Sequence, residues 1–172
     1  VYKYLADGNN LGITYAESRG MHKIFTLMKP KCLEDIAIAL ALIRPAAAKN
    51  GQKFNYLKNF HGAIECDQRD YIIYDDDAIE FIEKIFKIPE YEADFYRKGF
   101  SKNNKFVKNK FLEKLNKLDE YSSEEKVFIY EQLEELKEYS FSKSHAISYA
   151  KLVYALAYNK YYRPKDFWCA SL

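Results

Sequence analysis

Two polar residues whose types suit catalysis or ligand binding, Lys143 and His145, directly precede a long apolar stretch of the chain. The stretch carries apolar or tyrosine side chains on nearly every face of a helix, which is typical of a helix buried in a core. Pro164 disfavours helical geometry at the residue before it and marks the end of the stretch. We therefore predict a buried helix over about 145–162 that holds the two polar side chains firmly at the edge of a cleft.

A strongly basic stretch runs from Arg97 to Lys117, with eight basic residues and one acidic residue, Glu113. Apolar residues at helical spacing place a helix beneath it. Its lysines allow two interpretations. A solvated helix face is the commoner one and the one we favour, and the alternative is a surface that follows DNA phosphates in a salt-sensitive manner. The lysines concerned are Lys105, Lys108, Lys110, Lys114 and Lys117.

Three consecutive acidic residues, 75–77, begin an amphipathic helical pattern. Asp75 and Asp77 have the spacing and the oxygen ligands that a magnesium ion accepts. The alternative is that acids in a first helical turn complement the helix dipole. We favour the dipole interpretation and predict no metal site in this chain.

Length and composition set broad limits. The 172 residues suffice for a buried core, and a single domain over 1–172 is expected. A net charge of +2 favours no particular partner. Three cysteines without metal-ligand spacing fit a reducing compartment better than a disulfide framework. Because no apolar run is long enough to span a bilayer, we expect a cytoplasmic protein with no membrane partner.

The periodicity of apolar residues predicts an all-α fold. Ser122 and Glu125 form a capping-box pattern for a helix that runs to about Glu138. At most a very short extended segment is expected, near 12–15. The architecture predicted is a multi-helix domain around the central buried helix at 145–162. Further helices are expected at about 1–6, 17–28, 33–43, 78–86 and 107–118.

Five segments, in order along the chain, resemble the motifs of one protein family. They are GITYAESRGM at 12–21, KPKCLEDIAIALALIRP at 29–45, IIYDDD at 72–77, EADFYRKGFSK at 92–102 and FSKSHAISY at 141–149. The corresponding motifs are G-V-F-Q-x-E-S-x-G-M, K-P-x-x-F-E-D-L-I-A-x-x-A-L-x-R-P, I-x-Y-Q-E-Q, E-A-D-x-L-R-R-A-M-G-K and F-N-K-S-H-A-x-x-Y. They belong to the C family of bacterial replicative DNA polymerases, the DNA polymerase III alpha subunits. The resemblance covers nearly the whole chain and coincides with the mostly helical fingers domain of that family.

The resemblance implies that the chain binds the incoming dNTP and the primer-template DNA for a DNA-directed DNA polymerase. Arg97 and Lys98 fall on two paired arginines associated with the triphosphate, and the lysine keeps the charge without the bidentate geometry. Within K-S-H-A, Lys143 and His145 become candidates for the same site, whereas an isolated histidine is more often a capping or core residue. Catalytic Mg²⁺ ions are held in that family by carboxylates of the palm domain. The nucleotide-binding candidates are Arg97, Lys98, Lys102, Lys143 and His145, and the DNA-binding candidates are Arg19, Arg44, Lys105 and Lys108.

The chain also departs from the family pattern. Tyr15 stands at a glutamine, Ala46 and Ala47 at a Gly-Pro pair, and Ser101 at a glycine. These departures leave open an alternative function, a degenerate non-catalytic homologue that serves as a helical DNA- or protein-binding module. Because no segment resembles the palm, we expect a piece of a longer polymerase that is inactive alone and whose partners include the palm and other domains.

Overall fold

The computed structural model describes residues 1–43, 57, 72–134, 136 and 141–171 of the chain. Within these residues the secondary structure consists of nine α-helices without a β-strand, which confirms the predicted all-α class. The helices are α1 (Tyr2–Ala6), α2 (Arg19–Met28), α3 (Leu33–Leu42), α4 (Asp75–Phe86), α5 (Glu90–Ser101), α6 (Lys105–Asn116), α7 (Ser123–Glu134), α8 (Lys143–Tyr162) and α9 (Pro164–Ser171).

The segment 12–15 forms turns. Gly12 and Tyr15 have positive φ angles of 74° and 68°, in the left-handed region that glycine enters freely and a tyrosine seldom does. The Tyr15 ring packs edge-on against Tyr149, with 4.3 Å between the ring centroids. Turns thus take the place of the very short extended segment that the sequence allowed here.

The helices group into two compact units. The first consists of Val1–Glu65 and Lys143–Leu172, and the second consists of Cys66–Ser142. In the order of the chain, the second unit is thus inserted between the two parts of the first. The sequence had been interpreted as one domain over 1–172.

Helix α8 is central to the first unit, where it packs against α3, α9 and α1. Only one stripe of this helix is buried, whereas six of the ten residues of α3 are buried. The predicted burial of this helix therefore holds along one stripe, whereas Leu152 and three of its five tyrosines leave the stripe and are 42% to 59% exposed. The buried stripe is Ala146, Ala150, Val153, Ala157 and Lys160, and the exposed residues are Leu152, Tyr158, Tyr161 and Tyr162.

The core of the second unit forms around Phe111 of α6. Its ring lies 4.8 Å from that of Phe86, 5.5 Å from Tyr96 and 5.1 Å from Phe100, all in edge-on arrangements that favour aromatic pairs. Helices α5 and α6 approach closely at Gly99, where an added Cβ atom would lie 2.2 Å from Cγ1 of Val107. This core fixes the position of α5, the helix that carries Arg97.

Local capping follows the sequence pattern closely. The Ser122 amide donates to Oε2 of Glu125 at 2.7 Å, and the Glu125 amide donates to Oγ of Ser122 at 3.3 Å. The predicted capping box is confirmed, and the hydrogen bonds from Ser122 lower the pKa of the Glu125 carboxyl. The predicted end of this helix near Glu138 lies outside the described residues.

Candidate functional site

Arg97 lies in the last half of α5, and its guanidinium contacts two carboxylates. Nε and Nη2 donate to Oδ1 of Asp94 at 2.9 and 2.6 Å, and Nη1 lies 3.7 Å from Oδ2 of Asp75 on α4. Asp94 and Arg97 are three residues apart on one helix, so their side chains share a face. Since the Arg97 side chain is only 18% exposed, its guanidinium has a fixed position.

The two carboxylates around Arg97 differ in their protonation behaviour. The hydrogen bond from Lys98 is the largest effect on the pKa of Asp94 and lowers it; burial opposes this effect, and the hydrogen bond and charge of Arg97 add to the lowering. Burial raises the pKa of Asp75, and the charge of Arg97 only partly opposes this rise. Asp94 is therefore well stabilised as a carboxylate, whereas Asp75 is held in its charged form at a penalty.

We expect Asp94→Asn to lower the free energy of unfolding by about 1 kcal/mol at pH 7, the upper end for a partly exposed ion pair. The folded-state pKa of Asp94 is lowered, so its stabilisation is present above the unfolded pKa of about 3.9 and is lost as pH falls through the folded pKa. The stability difference between the wild type and Asp94→Asn should therefore stay constant near neutral pH and shrink as pH falls below about 4. Urea denaturation at several pH values measures this difference.

The matched control is Asp119→Asn, which removes an exposed carboxylate that makes no ion pair with the described residues. This variant should be nearly as stable as the wild type. A difference for Asp94→Asn that stays constant with pH would contradict an ionic role for Asp94.

The other cations predicted on α5 lie close to Arg97 in the chain. Nζ of Lys98 is 2.5 Å from Oδ2 of Asp94, and the lysine side chain is 59% exposed. Lys102 follows the last residue of α5 and is exposed. Asp94 therefore brings Arg97 and Lys98 together on one carboxylate, with Lys98 open to solvent.

Lys143 and His145 begin α8 in the first unit, and both are exposed. The His145 ring packs edge-on against Tyr149, with 4.2 Å between ring centroids. Arg97 belongs to the second unit. A phosphate site shared by Lys143 and Arg97 therefore stays a prediction.

Of the predicted DNA contacts, Arg19 and Lys105 are exposed at the first positions of α2 and α6. Arg44 lies outside the described residues. Lys108 is buried, with Nζ 2.5 Å from Oε1 of Glu134 and 2.7 Å from Oδ1 of Asn103. The prediction that Lys108 contacts DNA was wrong, because its charge is neutralised inside the second unit.

The favoured interpretation of the α6 lysines as a solvated face holds only in part. Lys105, Lys110 and Lys117 are exposed. Lys114 is half-buried, pairs with Glu92 at 2.9 Å and lies 5.1 Å from the centre of the Phe86 ring. For Lys108 and Lys114 the solvated-face interpretation was wrong, because carboxylates on α7 and α5 hold them.

The acidic run at the start of α4 has structural partners. Oδ2 of Asp77 accepts the amides of Ile73 and Tyr74 at 3.0 and 2.8 Å, and Asp75 faces Arg97. Over the described ranges, no three histidine, cysteine, aspartate or glutamate side chains gather as metal ligands would. Asp77 thus caps α4, and the place of Asp75 in the first turn is the one that the dipole interpretation describes.

The sequence analysis missed one buried charged residue, Lys160 of α8. Lys160 is 8% exposed, and its Nζ donates to the carbonyl oxygens of Asn9 and Leu11 at 3.1 and 2.7 Å. The same ammonium lies 5.6 Å from the Tyr4 ring and 5.4 Å from the Trp168 ring. The signal was present in the sequence, because Lys160 continues the spacing of the small buried residues of α8.

The first unit also contains an open cleft of about 520 Å³ that the sequence analysis did not single out. Three of its lining residues are lysines and one is acidic, which gives it a positive charge. The lining residues are Tyr2, Lys3, Ala6, Asp7, Lys29, Pro30 and Lys31.

Among the described helices, none has both the length and the apolar character needed to cross a membrane.

The sequence of the chain matches a known family profile over residues 1–129, and the profile describes the bacterial DNA polymerase III alpha subunit finger domain. The chain belongs to this finger-domain family. The resemblance drawn from the five motifs is thereby confirmed. Arg97 and Lys98 lie within the matched residues, whereas Lys143 and His145 follow them.

Curated relatives of this finger domain are much longer proteins. The chain is 30% identical over 189 residues to the DNA polymerase III subunit alpha of Aquifex aeolicus, with all of the chain and 16% of the relative covered. It is 31% identical over 179 residues to the subunit of the same name from Mycoplasma genitalium, covering 95% of the chain and 20% of the relative. The error-prone DNA polymerase of Saccharophagus degradans is 28% identical over 188 residues, covering 99% of the chain and 18% of the relative.

Proposed function

We propose that this chain is the fingers of a cytoplasmic DNA-directed DNA polymerase and binds the triphosphate of the incoming dNTP together with primer-template DNA. The proposal rests on membership in the finger-domain family and on relatives named as DNA polymerases. The Mg²⁺ ions of nucleotidyl transfer would be held by carboxylates of a palm domain, as the resemblance to the polymerase family implies.

The observation that carries the proposal is the adjacent pair Arg97 and Lys98 on α5. Asp94 fixes the guanidinium, and Lys98 presents an ammonium to solvent beside it. Fixed cations stabilise the negative charge that gathers on a triphosphate as pyrophosphate leaves. Because Asp94 positions the guanidinium before the nucleotide arrives, little side-chain entropy remains to be lost on binding. Lys102, Lys143 and His145 are proposed to lie around the same phosphates.

The proposed DNA contacts are fewer than the sequence suggested, since Lys108 is not among them. Arg19 and Lys105 are exposed cations that can each approach a phosphate, and Arg44 is retained from the motif match alone. Contacts of this kind depend on salt concentration and not on base sequence. The positively charged cleft around Lys3, Lys29 and Lys31 is a further surface of the same chemistry.

Primer extension tests the proposal. The full-length protein is expected to extend an oligo(dT) primer on a poly(dA) template with dTTP and Mg²⁺, and the 172-residue chain alone is expected to be inactive. A full-length protein that binds the primer-template without extending it would favour the degenerate, non-catalytic alternative. Extension by the 172-residue chain alone would show that the interpretation of Asp75 and Asp77 was wrong.

A further inference from the structure

The two carboxylates that contact Arg97 hold it with unequal strength. Asp94 accepts two hydrogen bonds from Arg97 and lies 2.5 Å from the ammonium of Lys98. Asp75 reaches the guanidinium only at 3.7 Å, a distance at which a direct hydrogen bond is not formed. Asp94 is thus the anchor of Arg97, and Asp75 is a weaker counter-ion on the opposite helix.

Asp75 is poorly accommodated in this position. Its Oδ1 atom is buried and accepts no hydrogen bond from the described residues. The neighbouring charge of Asp76 adds to the effect of burial in raising the Asp75 pKa, and Arg97 is the cation that opposes them. Burying a carboxylate oxygen without a hydrogen-bond donor costs solvation free energy. The charged form of Asp75 is therefore unfavourable at this site apart from its interaction with Arg97.

The backbone of Asp75 does not require a carboxylate. Its amide donates to the carbonyl oxygen of Phe141 at 3.3 Å, a contact that any residue can make. The N-terminal cap of α4 is formed by Asp77, whose Oδ2 accepts the two free amides before the helix. The motif I-x-Y-Q-E-Q places a neutral glutamine where this chain has Asp75. The charge of Asp75 therefore has Arg97 as its direct target and no capping role of its own.

We propose that Asp75 is a positioning residue that competes with the nucleotide phosphates for Arg97 and so weakens nucleotide binding. This inference rests on the proposed function of Arg97. The Asp75 carboxylate already lies within 4 Å of Nη1 of Arg97. A phosphate oxygen that approaches Nη1 would therefore come close to this carboxylate, and the two anions would repel each other. Asp94 stays bonded to Nε and Nη2, so the phosphate must displace or approach Asp75 and not Asp94.

The test compares Asp75→Asn, which keeps the shape of the side chain, with the wild type in the full-length protein. Incorporation of dTTP on poly(dA) primed with oligo(dT) is measured under steady-state conditions. The KM for dTTP is expected to fall about two- to fivefold, the factor that corresponds to a partly exposed ion pair, with kcat nearly unchanged. Asp75→Gln, the residue of the motif, should behave like Asp75→Asn.

Asp119→Asn is the matched control, because it removes an equal charge from an exposed position of the second unit. It should leave the KM unchanged. The double variant Asp75→Asn with Arg97→Ala should have a KM for dTTP no lower than that of Arg97→Ala alone. If Asp75→Asn lowered the KM for dTTP both in the wild type and in Arg97→Ala, the effect would come from the overall charge of the protein. That result would overturn the proposed competition for Arg97.

The outcomes separate this inference from the proposed function. If Arg97→Ala impairs dTTP use and Asp75→Asn leaves or raises the KM, the competition is wrong and nucleotide binding by Arg97 stands. If Arg97→Ala has no effect on dTTP use, the proposed role of Arg97 fails and the competition fails with it.

Discussion

Replacing Arg97 with alanine is expected to lower kcat/KM for the incoming nucleotide by about ten- to a hundredfold in the full-length protein. A hydrogen bond to a charged group contributes roughly 1.5–3 kcal/mol, and its loss in the transition state reduces the rate constant by the corresponding factor. The fixed guanidinium makes the loss specific, since no other arginine of the described second unit can take its place. Single-nucleotide incorporation with dTTP over a range of concentrations measures it.

The control for this experiment is Lys117→Ala. Lys117 follows α6, is exposed and has no side-chain partner among the described residues, so its removal subtracts a charge from the same unit without disturbing the core. Lys114→Ala is a poorer control, because Lys114 pairs with Glu92 and packs on aromatic rings. Weakened DNA affinity with unimpaired nucleotide use in Arg97→Ala would instead assign Arg97 to the template backbone.

The second large effect is expected for Lys160→Met. Methionine fills a similar volume but leaves the carbonyl oxygens of Asn9 and Leu11 without their donor. Because a hydrogen bond from a charged donor contributes roughly 1.5–3 kcal/mol, we expect the free energy of unfolding to fall by about 2–3 kcal/mol. Chemical denaturation of the chain measures this, and Lys151→Met, an exposed position of the same helix, should have little effect.

The pH dependence of the Lys160→Met effect provides an independent check. Burial lowers the pKa of Lys160, so the folded state loses this proton before the unfolded state does. The unfolded chain then binds more protons, and the stability of the wild type relative to the variant increases as pH rises toward the ordinary lysine pKa of about 10.4. A stability gap that narrows with rising pH would contradict a penalty from burying the charged ammonium.

Features that depend on neighbours in the sequence were predictable. The Ser122–Glu125 capping box and the helix class follow from residues three or four apart, and both are confirmed. Membership in the finger-domain family was also predictable, because whole motifs of that family are present in the sequence. Arg97 could be selected from its motif, but its pairing with Asp75 was not predictable, since that contact depends on how α4 and α5 pack.

Burial of charged residues could not be predicted in the same way. Lys108 and Lys105 look alike in the sequence, yet Glu134 of α7 neutralises one while the other stays in solvent. Lys160 depends on carbonyl groups at the opposite end of the chain. The apolar and tyrosine pattern of α8 likewise overstated burial, because a tyrosine is compatible with a core and with an exposed surface.

The division of the first unit into two sequence segments sets an order of folding during synthesis. Helix α3 packs against α8, which leaves the ribosome only after all of the second unit has been made. The second unit is continuous in sequence, so it can fold as soon as it emerges. Until α8 follows, the apolar side chains of α3, among them Ile36 and Leu40, have no partner on that face. The nascent chain therefore passes through a stage in which a folded second unit is tethered to an incomplete first one that needs protection from aggregation.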